Sequence, residues 1–153
     1  METPFEVTRI IDRKFVYDVF YKKTETNNVV VDAISRFITD PNYECLRRKY
    51  VPDLDKITQS LVLLILYPDD TTEKFGGLYH KPRDRPYILI SINTGPLKDF
   101  ISIFSFVGPI LVHEMLHELY EQNEDIEEKL SEFDKQFNKQ FHKDKKEFIE
   151  KTA

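Results

Sequence analysis

The stretch Val107-Gly-Pro-Ile-Leu-Val-His113-Glu114-Met115-Leu116-His117-Glu-Leu-Tyr-Glu-Gln122 decides how this chain folds and what it can hold. Its centre is H-E-x-x-H. On an α-helix, residues four apart share a face, so the imidazoles of His113 and His117 point the same way. Zinc takes neutral imidazole nitrogen readily and favours about four ligands in a tetrahedron, so one helix supplies half a shell. Glu114 stands beside the first histidine, within reach of a zinc-bound water, where a carboxylate acts as general base. Pro109 suits the first turn of a helix, where its missing N–H has no partner anyway. Ile110, Leu111, Met115, Leu116 and Leu119 give that helix apolar surface, which His113, Glu114 and His117 interrupt. The alternative is a surface helix with two solvated histidines, and such apolar flanks argue against it.

The chain around this stretch has 153 residues, which predicts one domain spanning 1–153 with a core of its own. A net charge of −5, with no basic stripe interleaved with aromatics, argues against a nucleic-acid partner. The single cysteine, Cys45, excludes an internal disulfide framework, and a half-buried free thiol is expected there. Met1-Glu-Thr-Pro-Phe-Glu6 has neither a basic start nor an apolar run. The apolar stretch Leu61–Tyr67 is too short to span a bilayer, so no membrane partner and a cytoplasmic location are expected.

Along the chain, Phe15, Tyr17, Val19 and Tyr21 alternate with charged or smaller residues and predict a strand over the second half of 5–21. Periodicity leaves the first half open. Val30, Ala33, Ile34, Phe37 and Ile38 have helical spacing, ended by Asp40-Pro41. Short helical patterns follow at 43–49 and 53–60. Leu61–Tyr67 reads as a strand buried on both faces. Phe75–His80 and Tyr87–Ile92 read as two strands joined by a polar connection with two prolines. Leu97–Phe106 is apolar and helical up to Gly108-Pro109, where the motif helix takes over. Asn123 caps a further, highly charged helix whose Ile126, Leu130, Phe133, Phe137 and Phe141 form one stripe for packing on the motif helix. The segment from His142 is expected to be a solvated helix end, with Phe148 and Ile149 able to dock back.

These residues resemble the zincin metallopeptidases: a buried strand, a Gly-Gly-Leu-Tyr strand, a Tyr-Ile-Leu-Ile-Ser-Ile strand taken as exposed, then the H-E-x-x-H helix. The likeness covers roughly residues 60–135. It implies an α+β fold, a short mixed or antiparallel sheet packed on the motif helix and a C-terminal helix. It also implies a Zn2+-dependent peptidase acting on a peptide or protein substrate, with narrow or self-limited specificity. The alternative is a non-catalytic or regulatory zincin-like metal-binding module. The metzincin continuation is excluded, because its glycine and third-histidine positions are Tyr120 and Asn123. The acidic run after His117 looks instead like a gluzincin, most like the minimal archaeal ones, in which a glutamate on the next helix completes the site. With the apolar stripe as compass, Glu127 lies at the border of the inward arc and is the expected third ligand, with Glu128 and Glu124 as alternatives. Ser131 and Asp134 are candidates for supporting hydrogen bonds. Tyr79, His80 and Tyr120 are candidate donors to a developing oxyanion. An extended peptide is expected along Tyr87–Ile92, and residues 142–153 are a candidate segment to lie across the same cleft.

Overall fold

Along residues 15–22 Phe15, Tyr17, Val19 and Tyr21 are buried, while Val16, Phe20 and Lys22 are half-covered; on that second side only Asp18 is also buried, paired with Arg9. That alternation is the pattern of a strand with one face on a core. The computed structural model describes residues 5–13, 15–50, 61–66, 76–80, 87–94, 97–120 and 122–152. Among these, β1 (Phe5–Asp12), β2 (Phe15–Lys22), β3 (Leu61–Leu66), β4 (Gly76–His80) and β5 (Ile88–Asn93) form a five-stranded mixed sheet in the order β1-β2-β3-β5-β4. Strands β2, β3 and β5 run parallel, and the two edge strands β1 and β4 run antiparallel to their neighbours. The fold is α+β, as expected, with a mixed sheet and the helices α1 (Glu25–Thr39), α2 (Pro41–Tyr50), α3 (Phe100–Leu119) and α4 (Asn123–Thr152).

The first half of 5–21, open in the sequence, is β1. The β1–β2 turn holds Arg13 at φ 55°, a left-handed conformation that a tight hairpin turn demands. Leu61–Leu66 is a strand, but not one buried on both faces. Val62, Leu64 and Leu66 are buried while Leu61, Leu63 and Ile65 are half-covered, because the helices pack on one face of the sheet. On the other face β1 leaves Phe5, Val7 and Ile11 exposed. The expected strand Tyr87–Ile92 corresponds to β5, which lies between β3 and β4. Among the described residues the edge on that side is therefore β4.

Helix α1 starts where Thr24 accepts a hydrogen bond from the Asn27 N–H at 3.0 Å, and it ends at Asp40 before Pro41. Helix α2 covers the expected 43–49, while the helical pattern at 53–60 lies outside the described residues. Cys45 is exposed on α2, not half-buried, since that helix turns Tyr43 and Arg47 inward. Arg47 is 3% exposed, pairs with Asp12 at 2.7 Å and donates to the Phe37 and Ile38 carbonyls, tying α2 to β1 and to the end of α1.

Helix α3 is continuous through Gly108 and Pro109, so Pro109 is interior and not in a first turn. Burial explains why the helix continues. Phe104 and Val107 before it, and Leu111 and Val112 after it, all sink into the core between α1 and α4. The close approach of α3 to α4 depends on Gly108: a Cβ there would meet the Phe137 ring at 2.7 Å and Phe37 at 3.0 Å. Around this contact Phe37, Tyr43, Phe104, Phe133 and Phe137 form one aromatic cluster joining α1, α2, α3 and α4. By length and composition Phe100–His117 would pass for a membrane span (mean hydropathy 1.5), yet 56% of it is buried inside this fold as the core helix.

Helix α4 carries the expected stripe inward, with Ile126, Phe133 and Phe137 buried and Leu130 and Phe141 packed against them. Its far end is held down. Phe148 is fully buried against Phe100 and Phe104, Asp144 accepts from the Tyr43 hydroxyl at 2.7 Å, and Glu147 pairs with Arg36 at 3.0 Å. Ile149 stays 51% exposed.

Candidate metal centre

Helix α3 presents the motif in its C-terminal two turns. Its apolar residues Leu111, Val112, Met115 and Leu116 face the core, and the Tyr17 hydroxyl of β2 reaches the Met115 sulfur at 3.8 Å. This anchoring fixes the rotation of α3, which leaves His113 and His117 half-buried at the rim. Their ring centroids lie 5.1 Å apart with planes inclined at 56°. Two imidazoles so placed can aim one nitrogen each at a shared point. Glu114 is only 5% exposed, a carboxylate carried into the protein beside the pair.

Electrostatics favour the ligand form of His113. Burial lowers its pKa first, the neighbouring His117 lowers it further, and Glu127 pulls it back upward. The net shift is downward, so the ring is neutral at neutral pH, the state in which a histidine donates to a metal. Glu127 itself stands in the first turns of α4. Glu124 and Glu128 are exposed on the same helix and are not among the charges that move His113.

The three expected ligands do not form one cluster. Among the described residues no group of three His, Cys, Asp or Glu side chains is close enough to hold a metal. Glu127 is exposed and is not grouped with the two histidines. The donor set of two neutral imidazoles and one carboxylate suits zinc in composition, with a fourth position left for water or substrate.

Other candidates fall in different places. Tyr120 is the residue after α3, half-buried, its N–H bonded to the Leu116 carbonyl at 2.9 Å. Tyr79 and His80 are on edge strand β4, at register positions opposite Ile90 and Leu89, and β4 lies alongside α3. Ser131 is exposed on α4. Asp134 is two turns beyond Glu127; its Oδ1 is buried without a hydrogen-bond partner among the described residues, and burial alone raises its pKa. It is not a support for the histidines. Of the segment 142–153, the described residues 142–152 do not cross the site either. It continues α4 away from the motif, and Phe148 docks on Phe100, thirteen residues and about 20 Å of helix before His113. Its anchors at Phe148, Asp144 and Glu147 are met by α1, α2 and the start of α3, which gives the segment a place in the core.

Comparison with known protein families, with characterised proteins and with solved structures finds no match to this chain.

Proposed function

We propose that this protein is a zinc-dependent metallopeptidase of zincin type, in the gluzincin arrangement. The observation that carries the reading is the pairing of His113 and His117 at 5.1 Å on one helix, with Glu114 buried beside them. His113, His117 and Glu127 would hold the ion. Bound there, zinc supplies the Lewis acidity that polarises a peptide carbonyl and acidifies water. Glu114, buried beside the pair, takes the proton of the attacking water and passes it to the leaving amine. Its burial keeps bulk water from competing for that proton.

The substrate in this reading is an extended peptide or protein segment. It adds to the outer edge of β4, beyond which no further strand lies among the described residues, and β4 runs alongside α3. This replaces Tyr87–Ile92 as the docking strand, because β5 already has both neighbours.

Metal analysis after equilibrium dialysis tests the proposal. One zinc per chain is expected. The His113→Ala/His117→Ala variant should lose it, Glu127→Ala should weaken it, and Glu124→Ala and Glu128→Ala should not. Full zinc retention by the double histidine variant overturns the site. Stoichiometric zinc without hydrolysis of any unfolded protein favours the second reading, a metal-binding module without turnover; the exposed position of Glu127 is the observation on its side.

A further inference from the structure

Helix α4 is thirty residues long, and its side facing away from the core carries an ordered pattern of charge. Glu124, Glu128 and Glu132 are followed by Lys135, Lys139 and Lys143, and all six are exposed. At about 100° per residue they fall within one arc of about 100°, opposite the arc of Phe133, Phe137 and Phe141. The acidic half and the basic half each stack like charges at i and i+4, which destabilises a helix left to itself. Two other i,i+4 positions among the described residues carry opposite charges that pair, Arg36–Asp40 at 2.7 Å and Arg48–Glu44. Among the described residues none of the six on α4 makes an ion pair. The order of signs suits the helix dipole, with acids near the N-terminus, but dipole interactions act only over the first and last turns. This pattern runs through the middle of the helix.

The pattern has a symmetry that the dipole does not require. Glu132 and Lys135, Glu128 and Lys139, and Glu124 and Lys143 are each placed symmetrically about the point midway between Phe133 and Asp134. A second α4 laid antiparallel about a two-fold axis through that point brings every acid level with a lysine of the other copy. Along the basic half, the stems of Lys135, Lys139 and Lys143 with Asn138 and His142 line a shallow groove that can receive the partner's side chains. A two-fold contact of this kind is isologous, since the same patch meets itself.

We infer that the exposed face of α4 is a homodimer interface, the occupant being the α4 of a second copy in antiparallel register. The interface is electrostatic in character. Its register and orientation come from charge order, and its affinity depends strongly on ionic strength, because exposed charges are screened beyond about 8 Å at physiological salt. The net charge of −5 on each copy opposes association at long range, so the contact is weak and short-ranged.

Sedimentation equilibrium of the full chain at low and high salt tests this. Wild type should dimerise at about 20 mM salt with a Kd that rises at least about tenfold by about 0.5 M salt. Lys135→Glu/Lys139→Glu/Lys143→Glu makes the stripe all acidic, and Glu124→Lys/Glu128→Lys/Glu132→Lys makes it all basic. Each should be monomeric alone, and an equimolar mixture should form a heterodimer. That rescue also shows that both variants are folded. A Lys135→Cys chain should cross-link, under oxidant, to a Glu132→Cys chain and not to a Glu124→Cys chain. A wild-type monomer at low salt and millimolar concentration, a salt-insensitive dimer, or charge-reversed variants that dimerise as well as wild type would overturn the inference.

Discussion

Replacing Gly108 by alanine sets two known effects against each other. In an exposed helix, glycine to alanine gains about 0.8–1.0 kcal/mol of helix propensity. Here the new Cβ would lie 2.7 and 2.9 Å from two atoms of the Phe137 ring and 3.0 Å from Phe37. Carbon atoms attract best at about 3.5–4.0 Å, so the closest contact is too short by about 0.8 Å or more. Neither ring can yield cheaply. Both are fully buried, and Phe137 is held between Phe133 and Phe141 by near-parallel stacking, with interplanar angles of 25° and 4°. Overpacking of this kind costs about 1–3 kcal/mol, which outweighs the propensity gain. A net loss of about 1 kcal/mol is expected, equivalent to a fall in Tm of about 2–4 °C for a chain of this size. Thermal and urea unfolding of the purified variant measure it. The double variant Gly108→Ala/Phe137→Leu should be more stable than the sum of the two single changes. Because α4 must move outward, Glu127 moves from His113, and zinc affinity in Gly108→Ala should fall even though the substitution is five residues before the motif. A variant that is more stable than wild type by the full propensity gain would refute the close-packing argument.

Glu114→Ala should retain zinc and lose hydrolysis of an unfolded protein substrate by at least about 10²-fold, read as kcat with metal content matched. Arg47→Ala leaves the Asp12 carboxylate buried without its partner and should cost about 3–5 kcal/mol in urea unfolding, whereas Arg47→Met/Asp12→Leu should recover most of it. Asp134→Asn should raise stability at pH 7. Burial holds the Asp134 pKa above its unfolded value, so the penalty is absent below the unfolded pKa, grows as pH rises through the window between the two values, and is complete above it. Melting curves of the two proteins should therefore coincide near pH 3, separate as pH rises above the unfolded pKa, and stay fully apart above the folded pKa.

The parts of the fold legible in the sequence are those decided by neighbours along the chain. The spacing of Val30, Ala33, Ile34, Phe37 and Ile38 finds α1, and Asp40-Pro41 finds its end. The stripe from Ile126 to Phe141 gives the inward face of α4. The histidine pair is legible because both residues share one helix, whose geometry is fixed by its own hydrogen bonds. Strand β1 is obscure because its pattern is inverted: as an edge strand it turns Phe5, Val7 and Ile11 to the uncovered side. The interior position of β5 is illegible because strand order is set by long-range pairing, not by composition. Pro109 misleads for a related reason, since local backbone preference yields where both flanking turns bury apolar side chains. The reach from Glu127 to the histidine pair depends on the distance between α3 and α4, which Gly108 and Phe137 set jointly and no periodicity records.

The parallel centre of the sheet has a consequence for how the chain acquires its structure. The β1–β2 hairpin is local and can close within about 1–10 μs. Yet the other side of β2 is completed only when Val16 meets Leu61, after the chain has passed through α1, α2 and residues 51–60. Pairings so distant in sequence bear the loop-closure entropy before any contact rewards it, and such topologies fold slowly. Until β3 arrives, the hairpin shows a bare strand edge together with Phe5, Val7 and Ile11, the kind of surface that recruits other unfinished chains. Refolding from urea should therefore give a yield that falls with protein concentration, and slowing synthesis after residue 22 should lower the soluble fraction more than slowing it after residue 66.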